Sequence, residues 1–339
     1  MTTLTPAHRD VPERRPSIRD VAVLAGVSYQ TVSRVLNSSP RVRAQTRDRV
    51  LAAMTDLDYT PDIAARALGS GKRTTLGIID LGRHRYGPSL VEDAIRRAAT
   101  RAGVRTVVSA AESNDRLDLE RAFREVLAER THSLIVIGDA ALASTISREL
   151  VPDLDVVYTD RIGAGSPETL SPQYLAARTA TEHLISLGHR VIGHISGPDA
   201  SSAAERRRLG WQDALVDAGL SPHAIFAGSW SEDTGYLAAT ALLADDELTA
   251  LFAANDAMAF GALHAAADLG RQVPQNVSIV GFDDVPSARH HTPSLTTMRQ
   301  DFTSIGEAAF HQTHSAALTI DVRVPEIQIR ASTGDVVGT

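Results

Sequence analysis

The chain has 339 residues, 43% of them hydrophobic, enough for a small domain beside a larger α/β domain of two lobes. No apolar run reaches membrane-spanning length, and Pro and charges occupy the first 17 residues where a secretory signal would need an apolar core, so no membrane association or export is expected. The lack of cysteine excludes disulfides and thiolate chemistry and fits a reducing cytoplasm.

The net charge of −7 is unevenly spread: residues 1–75 hold 12 Arg/Lys against 7 Asp/Glu, a net of +5, and the remainder holds 22 against 34, a net of −12. A basic head on an acidic body suggests that only the head meets a polyanion. Ser17 reads as the N-cap of a first helix whose apolar stripe is Ile18, Val21, Ala22, Leu24 and Ala25, with Asp20 near its positive end. Gly26-Val27 breaks that helix, and Ser28 can cap a second, Tyr29 to Asn37. Helix, tight Gly turn, helix is the arrangement in which the second helix enters a DNA major groove. Val27, Val32, Val35 and Leu36 then face the first helix, and Tyr29, Gln30, Ser33 and Arg34 point outward. Arg bonds guanine in bidentate fashion, Gln bonds adenine, and Tyr reaches a base edge, a thymine methyl or a phosphate. A third amphipathic helix runs through about Asp58, and Tyr59-Thr60-Pro61 ends it. Residues 62–68 read as one or two helical turns, too short to be stable alone.

From Thr74 onward, seven short β-branched runs alternate with amphipathic stretches: LGIID, VRTVVSA, SLIVIG, LDVVYTD, VIGHISG, ALFAAND and VSIVGFD. That is the βαβ pattern of parallel sheets covered on both faces, and its length predicts two doubly wound lobes with a ligand cleft at the strand C-termini. Asp160, Asn255-Asp256 and Asp283-Asp284 stand at such strand ends. Arg207, Trp230 and Gln300-Asp301-Phe302, in a late crossover TTMRQDF, complete a sugar-like set: a flat ring for C–H faces and amides and carboxylates for hydroxyls. Asp and Asn at strand ends equally cap the next helix, so spacing leaves both roles open.

Catalysis is not expected. Adjacent Asp283 and Asp284 point opposite ways on an extended segment, and neither G-x-S-x-G, H-E-x-x-H nor a Gly-rich phosphate loop occurs. His290-His291 reads as a surface loop pair, and no metal site or cofactor is implied.

DVAVLAGVSYQTVSRVLN and VRAQTRDRVLAAMTDLDYTPDIAARALGSGK closely resemble the head of the lactose/galactose-repressor (LacI/GalR) family. LGHRVIGHISGP, R-x-x-G-W, ANDAMAFGALHAAADLG, VPQNVSIVGFDD and PSLTTMRQDF are similar to its periplasmic-binding-protein-like core. The resemblance implies a helix-turn-helix head on an α/β sensor of two doubly wound parallel-sheet lobes. It divides the chain into a disordered tail 1–16, a DNA-binding domain 17–61 and a hinge 62–73. An N-terminal lobe (74–171 and 302–323) and a C-terminal lobe (172–301 and 324–335) follow.

By the same resemblance Tyr29, Gln30 and Arg34 read bases in the major groove, and Ser28, Thr31, Ser33, Arg43 and Thr46 hold the backbone. Ala65 and Leu68 enter the minor groove from a hinge that folds only on DNA. Arg207, Asn255 and Asp283 fall on effector-contacting positions, and Pro88, Asp160, Trp230, Gln300 and Phe302 match the lactose-sensing branch. The implied partners are double-stranded palindromic operator DNA, a small galactoside-like effector and a second copy of the chain through Pro88 to Arg97, in the cytoplasm and without a membrane. No trailing leucine heptads suggest a tetramerising tail. Three positions depart from the family. Arg43 replaces a capping Ser worth roughly 1 kcal/mol, Ala203 replaces a pocket serine, and Leu81 stands where a polar group is expected. A different effector (another sugar, a nucleoside or a corepressor) is the alternative, and a periplasmic sugar-binding protein of the same fold is the more distant one.

Overall fold

The computed structural model describes residues 17–36, 42–57, 59, 75–82, 85–111, 115–138, 140–162, 171–222, 225–314 and 322–336. Helix α1 (Ile18–Leu24) opens where the Asp20 carboxylate accepts from both the backbone N–H and the hydroxyl of Ser17, at 2.7 and 2.6 Å. Gly26, at φ +61°, takes the left-handed conformation that turns the chain back, a position that strains any residue with a Cβ. Ser28 Oγ then accepts the Thr31 N–H at 3.2 Å and starts α2 (Tyr29–Leu36). Val21, Val32, Val35, Val50 and Met54 form the buried centre, which α3 (Ala44–Asp56) closes. Arg43 is the α3 N-cap and its side chain makes no capping bond, as its chemistry requires.

The first lobe holds β1 (Thr75–Asp80), α4 (Tyr86–Arg101), β2 (Arg105–Ala110), α5 (Arg116–Ala128), β3 (Ser133–Ile137), α6 (Ala140–Leu150) and β4 (Asp155–Tyr158). Its four strands are parallel in the order β2-β1-β3-β4. Every residue of β1 and β3 is buried, because helices cover both faces, which explains the unbroken apolar runs. The second lobe holds α7 (Pro172–Ser186), β5 (Ile192–Ser196), α8 (Ser202–Asp217), β6 (Ile225–Ala227), α9 (Glu232–Leu242), β7 (Ala250–Ala253), α10 (Asp256–Asp268), β8 (Ser278–Asp283) and β9 (Thr296–Arg299). α11 (Phe302–His314) returns to pack on α4 of the first lobe, and β10 (Glu326–Gln328) rejoins the second sheet. That sheet runs β10-β9-β8-β7-β5-β6, parallel except for β10.

All seven sequence-read strands are present, and β6, β9 and β10 are additional. β9 lies inside the run taken as a crossover, because Thr296, Thr297 and Met298 are buried through their neighbours β8 and β10 rather than marked by an apolar run of their own. Winding reverses between β1 and β3 in the first sheet and between β5 and β7 in the second. These switch points are where open α/β sheets take ligands, and both face the space between the lobes.

Candidate functional site

In the head, α2 sorts its side chains by rotation about the helix axis. Val32, Val35 and Leu36 lie on the buried arc, while Tyr29, Gln30 and Arg34 are exposed on the opposite one. Ser28, Thr31, Ser33, Arg43 and Thr46 flank that arc at the starts of α2 and α3. The hydroxyls of Ser28 and Thr31 lie 2.9 Å apart. Ala65 and Leu68 lie outside the described residues.

Between the lobes is a cavity of about 770 Å³. Pro88, Asp160, Arg207, Trp230, Asn255, Asp283, Gln300 and Phe302 all line it, although they come from elements spread over more than half the chain. Pro88 and Phe302 belong to the first-lobe wall, where Gly87 lets the Phe302 ring approach so closely that a Cβ would meet it at 2.6 Å. Tyr86 packs edge-on against the same ring, with centroids 5.9 Å apart.

On the second-lobe wall the Arg207 guanidinium is the hub. Its Nε donates to Gln173 Oε1 at 2.8 Å, Nη1 to the Ala254 carbonyl, and Nη2 lies 3.9 Å from the Asp283 carboxylate. It stacks over Phe282 at 3.8 Å and stands 5.6 Å from the Trp230 ring. Gln300 completes the ring by donating to Asp283 at 2.6 Å and accepting from Gln173 at 2.7 Å. Asp283 ends β8 at φ +116° and Asp284 follows at φ +52°, both costly for residues with a Cβ. Arg299 and Arg330 hold that turn by clamping Asp284 at 2.6 and 2.5 Å.

Burial pushes the Asp283 carboxyl up to about 6, although Arg207 and the Gln300 amide draw it back. Asp256, fully buried beneath the same turn, is pushed up to about 8 by burial and the neighbouring Asp283 charge, even though Thr297 and the Val285 N–H donate to it. Trp230 sits at φ +71° with its ring over Gly197, where a Cβ would come within 2.3 Å. Asn255 Nδ2 holds the Trp230 carbonyl at 3.0 Å, and its Oδ1 caps α10 through the Met258 N–H at 2.9 Å. Of the two roles that spacing left open for Asn255, the helix cap is present, and the same side chain also lines the cavity. The indole N–H of Trp230 is buried and has no partner among the described residues.

Asp160 bridges the lobes. Its carboxylate accepts from Ser202 Oγ at 2.8 Å, and its carbonyl accepts from Arg206 at 2.8 Å. Ala203 lines the cavity and Leu81 does not. His290 and His291 are exposed, with His291 stacked on Phe260 at 4.0 Å. Gln173 and Arg85 stand in no motif of the sequence, since each gains meaning only from neighbours far along the chain. The Ser171-Pro172 helix start was the one available cue for Gln173, because it puts the next residue at a helix end.

A two-helix DNA-reading unit joined to a two-lobed body with a central cleft defines a ligand-responsive DNA-binding regulator. Comparison with known proteins agrees. Residues 17–62 match the family of bacterial regulatory proteins called the lacI family, and residues 181–333 match the periplasmic binding protein-like domain. The lactose operon repressor of Escherichia coli (strain K12) is 34% identical over 298 residues, 86% of this chain and 82% of that protein. The HTH-type transcriptional repressor PurR of Erwinia tasmaniensis is 30% identical over 303 residues, 87% of this chain and 88% of its own. A crystal structure of the lac repressor dimer bound to operator and the anti-inducer ONPF superposes with a TM-score of 0.68 at 30% identity, covering 95% of this chain and 100% of that one. The chain belongs to the lacI family of bacterial regulatory proteins.

Proposed function

We propose that the protein is a dimeric, cytoplasmic transcriptional repressor of sugar-utilisation genes, released from a palindromic operator by a galactoside-like effector. The convergence of eight side chains on one interlobe cavity carries the sensing half of this reading. Trp230 offers a ring face for C–H groups and an indole donor that awaits an acceptor. Asp283, steadied by Gln300 and Arg207, accepts paired hydroxyls. Asn255 keeps the Trp230 backbone in its unusual conformation, so it orients the ring as well as lining the cavity. Chemical steps play no part, and no cofactor is needed.

In the head, Arg34 takes guanine, Gln30 adenine and Tyr29 a neighbouring edge, with Ser28, Thr31, Ser33, Arg43 and Thr46 on phosphates. Two heads on successive turns read a twofold site, and the hinge residues Ala65 and Leu68 enter the minor groove at its centre. Effector draws the lobes together across the Asp160–Ser202 bridge and turns the first lobes against each other, so sugar and DNA oppose one another by about 1–3 kcal/mol. The match to an HTH-type transcriptional repressor PurR favours a second reading in which a different small molecule fills the same cleft.

Tryptophan fluorescence decides between them. The chain has two tryptophans, and Trp211 is buried in the second-lobe core while Trp230 lines the cleft. Titration with methyl β-galactoside is expected to shift the emission of Trp230 and to weaken operator binding. In Trp230→Ala both responses disappear. A full response to a nucleoside with none to any sugar overturns the glycoside assignment.

A further inference from the structure

One charged group in the cleft is unused by the sugar reading above, on which this inference rests. Arg85 lies on the first-lobe wall, just after β1, at the switch point between β1 and β3. Its guanidinium spans the glycines that follow both strands: a Cβ on Gly82 would come within 3.1 Å of Nη2, and one on Gly138 within 3.7 Å. Nη2 donates to the Leu81 carbonyl at 3.0 Å, and the Arg85 backbone N–H donates to Gly82 at 2.9 Å. The position is therefore set by backbone groups and by space left for it at two glycines. Among the described residues the Arg85 guanidinium forms no ion pair, and one of its five N–H donors is occupied.

The contrast with Arg207 is chemical. Arg207 has a carboxylate, an amide, a carbonyl and two rings around it, and its charge is matched inside the second lobe. Arg85 has no such set of close partners among the described residues, and its charge acts on Asp283 from across the cleft. It is the N-cap of the 16-residue helix α4, with no capping side chain and no acidic residue in the first turn, so the positive helix end meets the same spot. A neutral sugar filling the cleft would offer this guanidinium hydroxyl acceptors but no counter-charge. An anionic substituent on the sugar would supply one, in the planar two-point geometry that guanidinium favours.

We propose that the effector is an acidic sugar, whose hydroxyls meet the Trp230, Asp283 and Gln300 wall and whose carboxylate or phosphate ester meets Arg85. The two walls then discriminate separately: the second lobe reads the sugar, and the first lobe reads its charge. Closing the cleft brings the anion to the first lobe, the lobe next to the hinge in sequence, so recognition of charge and movement of the heads fall on one body.

The test is isothermal titration of the full chain with methyl β-galactoside, the corresponding methyl β-galactosiduronic acid, galactose 1-phosphate and galactose 6-phosphate. At least one acid is expected to bind about tenfold tighter than the neutral glycoside, and which acid does so separates carboxylate from phosphate. Arg85→Leu should bring that ligand to within about twofold of the neutral one, while Arg85→Lys retains part of the preference. Ligand-free melting temperatures of both variants report that they are folded. Equal or tighter binding of the neutral glycoside to the unmodified chain overturns the anion assignment and leaves the glycoside reading standing. An acid preference that survives in a folded Arg85→Leu chain overturns the role of Arg85. Failure of all four sugars overturns both readings together.

Discussion

The head and the cleft recognise their partners by opposite constructions. The side chains proposed to face the bases come from one eight-residue helix, so the spacing of Tyr29, Gln30 and Arg34 along the chain is already their spacing in the fold. The cleft draws on residues from Pro88 to Phe302, brought together by ten strands and the helices between them. A helix of known pitch displays its surface in advance, whereas a cleft between lobes exists only after both sheets have closed. The head tolerates few changes of position but needs no support beyond its small core. The cleft depends on supporting contacts such as Gln173 to Arg207 and Asn255 to Trp230.

Independence of the two regions is open to direct attack. Removing residues 1–73 should abolish specific operator binding, a loss of about 10³-fold or more, while sugar titration of the remainder is unchanged in gel-shift and calorimetric assays. Retained operator binding would break the division. A smaller cut at the same seam is Arg34→Ala, expected to cost roughly 1–3 kcal/mol of operator affinity and to relax one base position in selection from random duplexes. An unaltered base preference would remove Arg34 from the reading set.

The cleft should respond to pH where the head does not. Asp283 is pushed up to about 6, and hydroxyls prefer its carboxylate form as acceptor. Sugar affinity is therefore full above pH 7 and falls as pH drops through about 6, approaching tenfold per unit below it. Asp283→Asn should weaken binding and flatten that profile. The smallest expected effect lies at the start of α3. Arg43→Ser restores a cap and should add about 1 kcal/mol to head stability. It should also lower the salt slope of operator binding by about 0.9 through one lost phosphate contact. An unchanged slope would show that Arg43 makes no phosphate contact.

Much of this was readable before any coordinates. Ser17 with Asp20, Gly26 and Ser28 are cap and turn chemistry within three or four residues, so local rules suffice to place α1 and α2. The β1 and β3 runs were legible for the converse reason: strands buried on both faces must be apolar throughout. β6, β9 and β10 were not, being three or four residues long and dependent on partner strands. The cap made by Asn255 was legible from its place before α10, whereas its hold on the Trp230 carbonyl depends on a residue 25 positions away.

By itself, then, the sequence determined the helix-turn-helix unit, the exposed arc of Tyr29, Gln30 and Arg34, the α/β character of the body and the family to which the chain is similar. All of these rest on periodicity, caps and motifs whose members are close along the chain. Only the tertiary structure decided which distant polar groups share one cleft, that Asp256 lies beneath the strained turn made by Asp283 and Asp284, and that Arg85 stands over two glycines without an ion pair among the described residues. The physical reason is that desolvation and Coulomb interactions depend on distance through space, which strand order and lobe closure set and local spacing does not.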